Sequence, residues 1–398
     1  MVFSAKSMIF VIFLAMAIDI SGDSILRAFP FEKGLLVTLS QGLIAVLIML
    51  FTLIFGFKLP RKIELIVPFF LIILVLLLGL INGLIFNRAK FAISEIIPFL
   101  FVFSFLAFCS LKNPISVKEL EHCFTVIIYL ILGKAVVYNI FTYFLLGDIS
   151  WKVLLKQSPA LILPLSYFFS KIATNRITTA NYLTLSVIII LITFAMARML
   201  FLAMIFIICI HFLNRRIFKN IQIIVLIVLS FFIYQLLVGS STTGIIDFLY
   251  GGNVFELGID YRLVQLQVII SRLEASPLLG VGFGYFTPGY LDYGLLSKPY
   301  LLELDILNFI SKIGIIGSIV YAISYIMIYR LIGLILCPVV RKTSLSLFWG
   351  IAGLLVYSTG QTAHQSYLFW VLLAFVYGFV VSHLRTQSPF PKVSGEEF

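Results

Sequence analysis

Charge is what this sequence has least of. Only 11% of its 398 residues are Asp, Glu, Lys or Arg, against about 25% in an ordinary soluble domain, and the mean hydropathy is +1.14. A water-soluble globule is excluded, and the chain reads as a polytopic membrane protein. Cysteine is scarce too. Cys109, Cys123, Cys209 and Cys337 all lie in or beside apolar segments without CxxC spacing, so they read as packing residues. There is no GxxxxGK[ST] loop, no HExxH and no D-x-D pair, which removes the usual nucleotide- and metal-binding devices. Neither a metal nor a cofactor is expected. Internal repeats, low-complexity stretches and soluble domains are missing as well, so residues 1–398 read as a single membrane domain.

What the sequence does have is one apolar run after another. Runs of about 17 to 25 residues cross a bilayer as helices, and they fall near residues 7–26, 34–57, 64–86, 91–111, 123–146, 158–173, 180–197, 199–213, 218–238, 303–328, 344–362 and 366–384. The prediction is an all-α fold of about twelve transmembrane helices with one large loop between the ninth and tenth. The net charge of +11 gathers in alternate connections, at Lys58/Arg61/Lys62, Lys112/Lys118, Lys171/Arg176, Arg215/Arg216/Lys219 and Arg330/Arg341/Lys342. Cytoplasmic loops collect Lys and Arg. Both termini are therefore expected in the cytoplasm and residues 239–300 outside, and the basic excess points to topology rather than to nucleic acid. Lys6 followed by Met8–Ile18 and Ala15-Met-Ala17 has the shape of a signal peptide. A retained first helix fits better, because cleavage would invert the charge pattern.

The run from Asn181 to Leu213 has no Gly or Pro to mark a turn. As one helix it would measure about 50 Å at 1.5 Å per residue, too long for a ~30 Å hydrocarbon core, and it would bring Arg198 near the membrane centre. A hairpin with Arg198 at its outer tip avoids both difficulties.

Ordinary polarity is concentrated between Gly239 and Gly317. Asp260–Glu274 reads as a short amphipathic helix over 260–275, N-capped by Asp260 and closed by Pro277. At 100° per residue Tyr261, Arg262, Gln265 and Arg272 share one flank, beside an apolar face of Leu263, Leu266, Ile269, Ile270 and Leu273. Such a helix lies on the outer membrane surface with its apolar face down. Arginine binds phosphate bidentately and stays charged, but Arg262 and Arg272 could equally snorkel to headgroups or pair with Asp260 and Glu274. Arg198, flanked by apolar helices, needs a wet cavity or a partner. Glu303 and Asp305 stand where the loop enters a helix, a position that also suits simple helix-start carboxylates. Asp305, Asn308 and Lys312 form a stripe at 3 and 4 spacing, expected to line a cavity. Lys134, alone in mid-span near Asn139, is an interior polar group with no assigned role. His364, in the connection Thr362–Ser366, could reach the same cavity. Gly280-Val-Gly-Phe-Gly284 has the glycines of a dinucleotide loop but follows no strand, and the nucleotide reading is set aside.

At these residues the chain resembles the O-antigen polymerase and ligase superfamily, the Wzy and WaaL proteins. The likeness covers roughly the second half. It consists of an arginine at the outer end of a span (Ala197-Arg198, where the family has Ser-Arg), two further spans, and a large outer loop. That loop carries Arg262-Leu263 and Pro277-Leu-Leu-Gly-Val-Gly-Phe-Gly284, followed by a polar pair before Gly314-Ile-Ile-Gly317. Ligases carry His-Asn or a similar pair where this chain has Glu303-Leu304, and an aromatic residue often seen after the first loop arginine is replaced near Leu266.

The resemblance implies a fold like that of the type C glycosyltransferases in the bacterial plasma membrane. It implies a metal-independent polymerase of O-antigen, capsular or exopolysaccharide repeats. The expected partners are oligosaccharides on undecaprenyl pyrophosphate, membrane lipids and a chain-length regulator. Arg198 and Arg262 would bind the pyrophosphate with Arg272 in support, Glu303 would serve as base, and Gln265, Asp305, Asn308 and His364 would contact substrate. A transporter or flippase of lipid-linked sugars, or a ligase-type transferase, would also suit twelve spans with a basic interior.

Overall fold

A computed structural model describes residues 60, 62–109, 114–146, 158–173, 178–195, 198–212, 252–285, 302, 304–359 and 366–387. Among them there are helices and no strand. After a 3-10 turn at Ile63–Leu65 come α1 (Val67–Phe86), α2 (Ala89–Ile96), a 3-10 stretch Ile97–Phe103, and α3 (Ser104–Cys109). The chain continues with α4 (Val117–Leu146), α5 (Ser158–Ala173), α6 (Thr179–Phe194), α7 (Arg198–Phe212), α8 (Gly252–Ala275), α9 (Asp305–Gly333), α10 (Pro338–Tyr357) and α11 (Tyr367–Thr386).

Among the described residues six segments are long and apolar enough to cross a membrane: Val67–Phe86, Ala89–Cys109, Val117–Ile140, Asp305–Gly333, Pro338–Tyr357 and Tyr367–Thr386. Three shorter apolar helices, Ala160–Ile172, Thr179–Thr193 and Met199–His211, accompany them. The protein is thus an all-helical membrane protein. The spans expected at 7–26, 34–57 and 218–238 lie outside the described residues. Within the Asn181–Leu213 run the described residues form two helices, α6 and α7, that touch each other, and Arg198 begins the second.

The core is organised around α11. It is apolar all round, which is the pattern of a fully enclosed helix, and Tyr367 to His383 are buried along its whole length. Ser366 opens it, accepting the Leu368 N–H at 3.2 Å. Helices α3, α5, α9 and α10 and the 3-10 stretch pack around it. Pro98, at the start of the 3-10 stretch, has no N–H to continue α2 and tightens the chain there. Of the cysteines expected to be packing residues, Cys109 is buried, but Cys209 and Cys337 face outward.

Helix α9 is two helices in one. Gly314 has φ 68° and ψ −175°, a conformation closed to residues with a Cβ. Phe309 and Tyr321, twelve positions apart, have ring centroids 5.2 Å from each other. A straight helix would separate their backbones by about 18 Å, more than the side chains can close, so the halves 305–313 and 315–333 meet at a sharp bend. The second half alone, 19 residues or about 28 Å at 1.5 Å per residue, matches the hydrocarbon thickness. The span expected over 303–328 is thus broken at Gly314, and residues 305–313, with the segment Pro277–Gly284 bonded to them, form a cap on its first half.

Candidate functional site

Breaking a helix strands backbone groups that lipid cannot satisfy. Here the segment Pro277–Gly284 satisfies them. The N–H groups of Val281 and Gly282 donate to the carbonyls of Ser311 and Lys312 at 3.1 and 3.0 Å, closing the end of the first half. In return the N–H groups of Ile315 and Ile316 donate to the carbonyls of Pro277 and Leu278 at 2.9 and 3.1 Å, opening the second. The segment is held on its other side by α1. Phe283 N–H donates to the Gly79 carbonyl at 2.9 Å, Asn82 reaches Leu279 O at 3.1 Å, and Asn87 reaches Val281 O and Phe283 O at 2.9 and 3.0 Å. So close an approach needs glycine on both sides. A Cβ on Gly282, where φ is 78°, would lie 2.3 Å from Gly83 N, and one on Gly314 would lie 2.4 Å from Gly280 N.

Four polar side chains line up beneath this seam. Lys312 Nζ donates to Glu95 Oε1, with both side chains buried. The other carboxylate oxygen of Glu95 accepts the Gly284 N–H at 2.6 Å. One turn before Lys312, Asn308 Oδ1 accepts from Arg272 Nη1 at 2.7 Å, and the Arg272 guanidinium lies 5.4 Å from the centre of the Tyr285 ring. Arg272 and Asp305 are near enough to act electrostatically on Lys312. The stripe Asp305, Asn308 and Lys312, expected to line a cavity, is instead buried and faces Arg272 and Glu95 in a packed seam.

Helix α8 is longer than its sequence pattern. It begins at Gly252, so Asp260 is inside the helix and is not its N-cap. The expected polar flank divides. Gln265 and Arg272, seven residues and two turns apart, are buried, and Gln265 Oε1 accepts the Leu304 N–H at 3.2 Å. Arg262 is exposed. Ile269 packs with Leu302 in a small apolar cluster between α8 and the start of α9, whereas Leu263, Leu266 and Ile270 face out of the protein, the side on which lipid would lie.

The structure thus brings Gln265, Arg272, Asp305 and Asn308 together, and leaves Arg262 off the seam. Arg198 is the first residue of α7. Glu303 and His364 lie outside the described residues. Lys134 is half-buried on α4, and Asn139 donates within its own helix to Ala135 O at 2.8 Å. Glu95 is the residue that the sequence reading missed. The available signal was a lone carboxylate in a membrane span, which is a functional candidate by default. No family model matches the chain, and no curated protein matches it.

Proposed function

We propose that this protein is a membrane-embedded glycosyltransferase that polymerises oligosaccharide repeat units carried on a lipid pyrophosphate, at the outer face of a bacterial plasma membrane. The observation that carries the reading is the Arg272–Asn308 contact, a guanidinium held in a buried seam between α8 and the first half of α9. It supports the reading because the resemblance drawn from Arg198, Arg262 and the Pro277–Gly284 motif calls for arginines around a departing pyrophosphate. In the proposed reaction an acceptor hydroxyl oxygen attacks the anomeric carbon, and the bond from that carbon to the pyrophosphate oxygen breaks. The electron pair leaves with the pyrophosphate, and the hydroxyl proton passes to Glu303. Fixed positive groups in a low-dielectric site stabilise the charge that builds on the leaving group, and a positioned carboxylate takes the proton. A phosphate that reaches Arg272 displaces the Tyr285 ring. Arg262, exposed on α8, meets the donor from the membrane side.

One observation bears on a transporter or flippase reading. Discontinuous helices are where many transporters hold their substrates, using the free ends of the half-helices, and α9 is discontinuous. Its free ends are consumed by Pro277–Phe283, however, which favours the enzyme. The deciding experiment supplies purified protein in lipid with a lipid-linked repeat unit. A ladder of lengthening products supports the polymerase, a single addition points to a ligase, and movement across the bilayer without covalent change to a transporter.

A further inference from the structure

Glu95 touches two parts of the cap at once. Its Oε1 holds Lys312 on the first half of α9, and its Oε2 holds the Gly284 amide at the end of the glycine segment. Both carboxylate oxygens are therefore occupied, and the group is buried. Lys312 and Asn308 are four residues apart, one turn of the same helix face, and Asn308 is the residue that grips Arg272. The path from Glu95 to the Arg272 guanidinium runs through one short helix of nine residues, tethered at its far end by the Ile306 N–H to the Ser358 carbonyl at 3.4 Å. Removing one partner of a buried ion pair leaves an uncompensated charge, whereas removing both charges together is far milder.

We infer that Glu95 and Lys312 are positioning residues: a buried latch that ties the 305–313 half-helix and the Gly284 end of the loop to α2 and so sets where Arg272 meets the donor. The inference rests on the reading of Arg272 as a donor-binding group. It makes the pair act through Arg272, and neither residue touches the substrate. The latch also has an asymmetry. The Gly284 amide needs an acceptor at position 95, while Lys312 needs a negative charge there. Glu95→Gln keeps the first and loses the second. Glu95→Gln with Lys312→Met keeps the acceptor and removes both charges.

The test compares wild type, Glu95→Gln and the double variant as full chains in nanodiscs, reading amide hydrogen exchange at residues 279–284 and steady-state kinetics with a lipid-pyrophosphate-linked repeat unit. Glu95→Gln is expected to speed exchange at these amides at least about tenfold, because local opening sets exchange. It should lower kcat about tenfold and change the donor KM less than about threefold, the signature of misplaced transition-state stabilisation by Arg272. The double variant should return exchange and kcat to within about threefold of wild type. Wild-type exchange in Glu95→Gln overturns the latch, as does a double variant that folds yet stays as open as the single one. If Glu95→Gln does not accumulate in the membrane, recovery of a folded, wild-type-like protein by adding Lys312→Met supports the latch, and failure to recover overturns it. Should wild type form no polymer at all, the proposed function fails, and the exchange arm still decides the latch.

Discussion

Around α11 the protein is buried by apolar side chains on every side, whereas around Gly314 it is buried by paired backbone groups, an ion pair and four glycines at positive φ, Gly280, Gly282, Gly284 and Gly314. The two regions touch at an aromatic node. Phe99 lies 5.0 Å from Trp370 on α11, 5.1 Å from Phe283 in the glycine segment and 5.5 Å from Phe309 in the first half of α9. Apolar packing depends on volume, and volume can be redistributed among neighbours. Backbone pairing depends on position, and a single methyl group in the seam has nowhere to go. The comparison teaches that the bundle and its cap answer to different demands: the first has to be stable, the second has to hold a few polar groups in place.

Four substitutions probe that difference. The largest effect belongs to Gly282→Val. With a Cβ 2.3 Å from Gly83 N and φ at 78°, the loop cannot seat, and the loss should exceed about 4 kcal/mol, the range reserved for severe steric and backbone faults. Thermal unfolding of detergent-purified protein measures it, and a midpoint near that of wild type would show that the seam is looser than drawn. Next, Arg272→Ala should lower polymer formation about 10²- to 10³-fold, as for loss of one group that stabilises transition-state charge, while the apolar bundle keeps the protein in the membrane. Product ladders at matched protein level read this out, and wild-type yield would remove Arg272 from the donor site. On the other side of the comparison, Leu372→Met within α11 should cost less than about 1.5 kcal/mol, because the volume is nearly conserved. A larger shift in the unfolding midpoint would mean that the core is as position-sensitive as the cap. Smallest is the stability effect of Arg262→Ala, within about 0.5 kcal/mol for an exposed side chain. The same variant should reduce polymer yield if the arginine meets the donor, and unchanged yield would leave it a headgroup contact.

The parts of this arrangement that were legible in the sequence are those whose spacing is local. Asp305, Asn308 and Lys312 repeat at helical intervals and are buried together. Gln265 and Arg272 lie two turns apart and share a buried face. Glu95 was not legible, because its lysine is 217 residues away and its neighbours Ile93, Ile96 and Ile97 read as an ordinary span. Nor was the bend at Gly314, since the apolar pattern runs through Ile313, Ile315 and Ile316 without interruption. The glycines of 280–284 were visible, yet what they approach is a backbone supplied by α1, α2 and α9, which no local pattern reveals. Arg262 was grouped with Arg272 by angle alone, and the docking of α8 on α9 separated them.

The separation of Glu95 from Lys312 along the chain also has a consequence for biosynthesis. At about 5 to 20 residues per second, the lysine emerges roughly 10 to 40 seconds after the carboxylate. A lone ionised carboxylate is unfavourable in lipid. For that interval the Ala89–Cys109 segment has to keep Glu95 shielded by the insertion machinery or near the water interface. The final seating of an early helix therefore waits on a residue made late, and a nascent chain that ends before Lys312 carries an unfinished span close to its beginning.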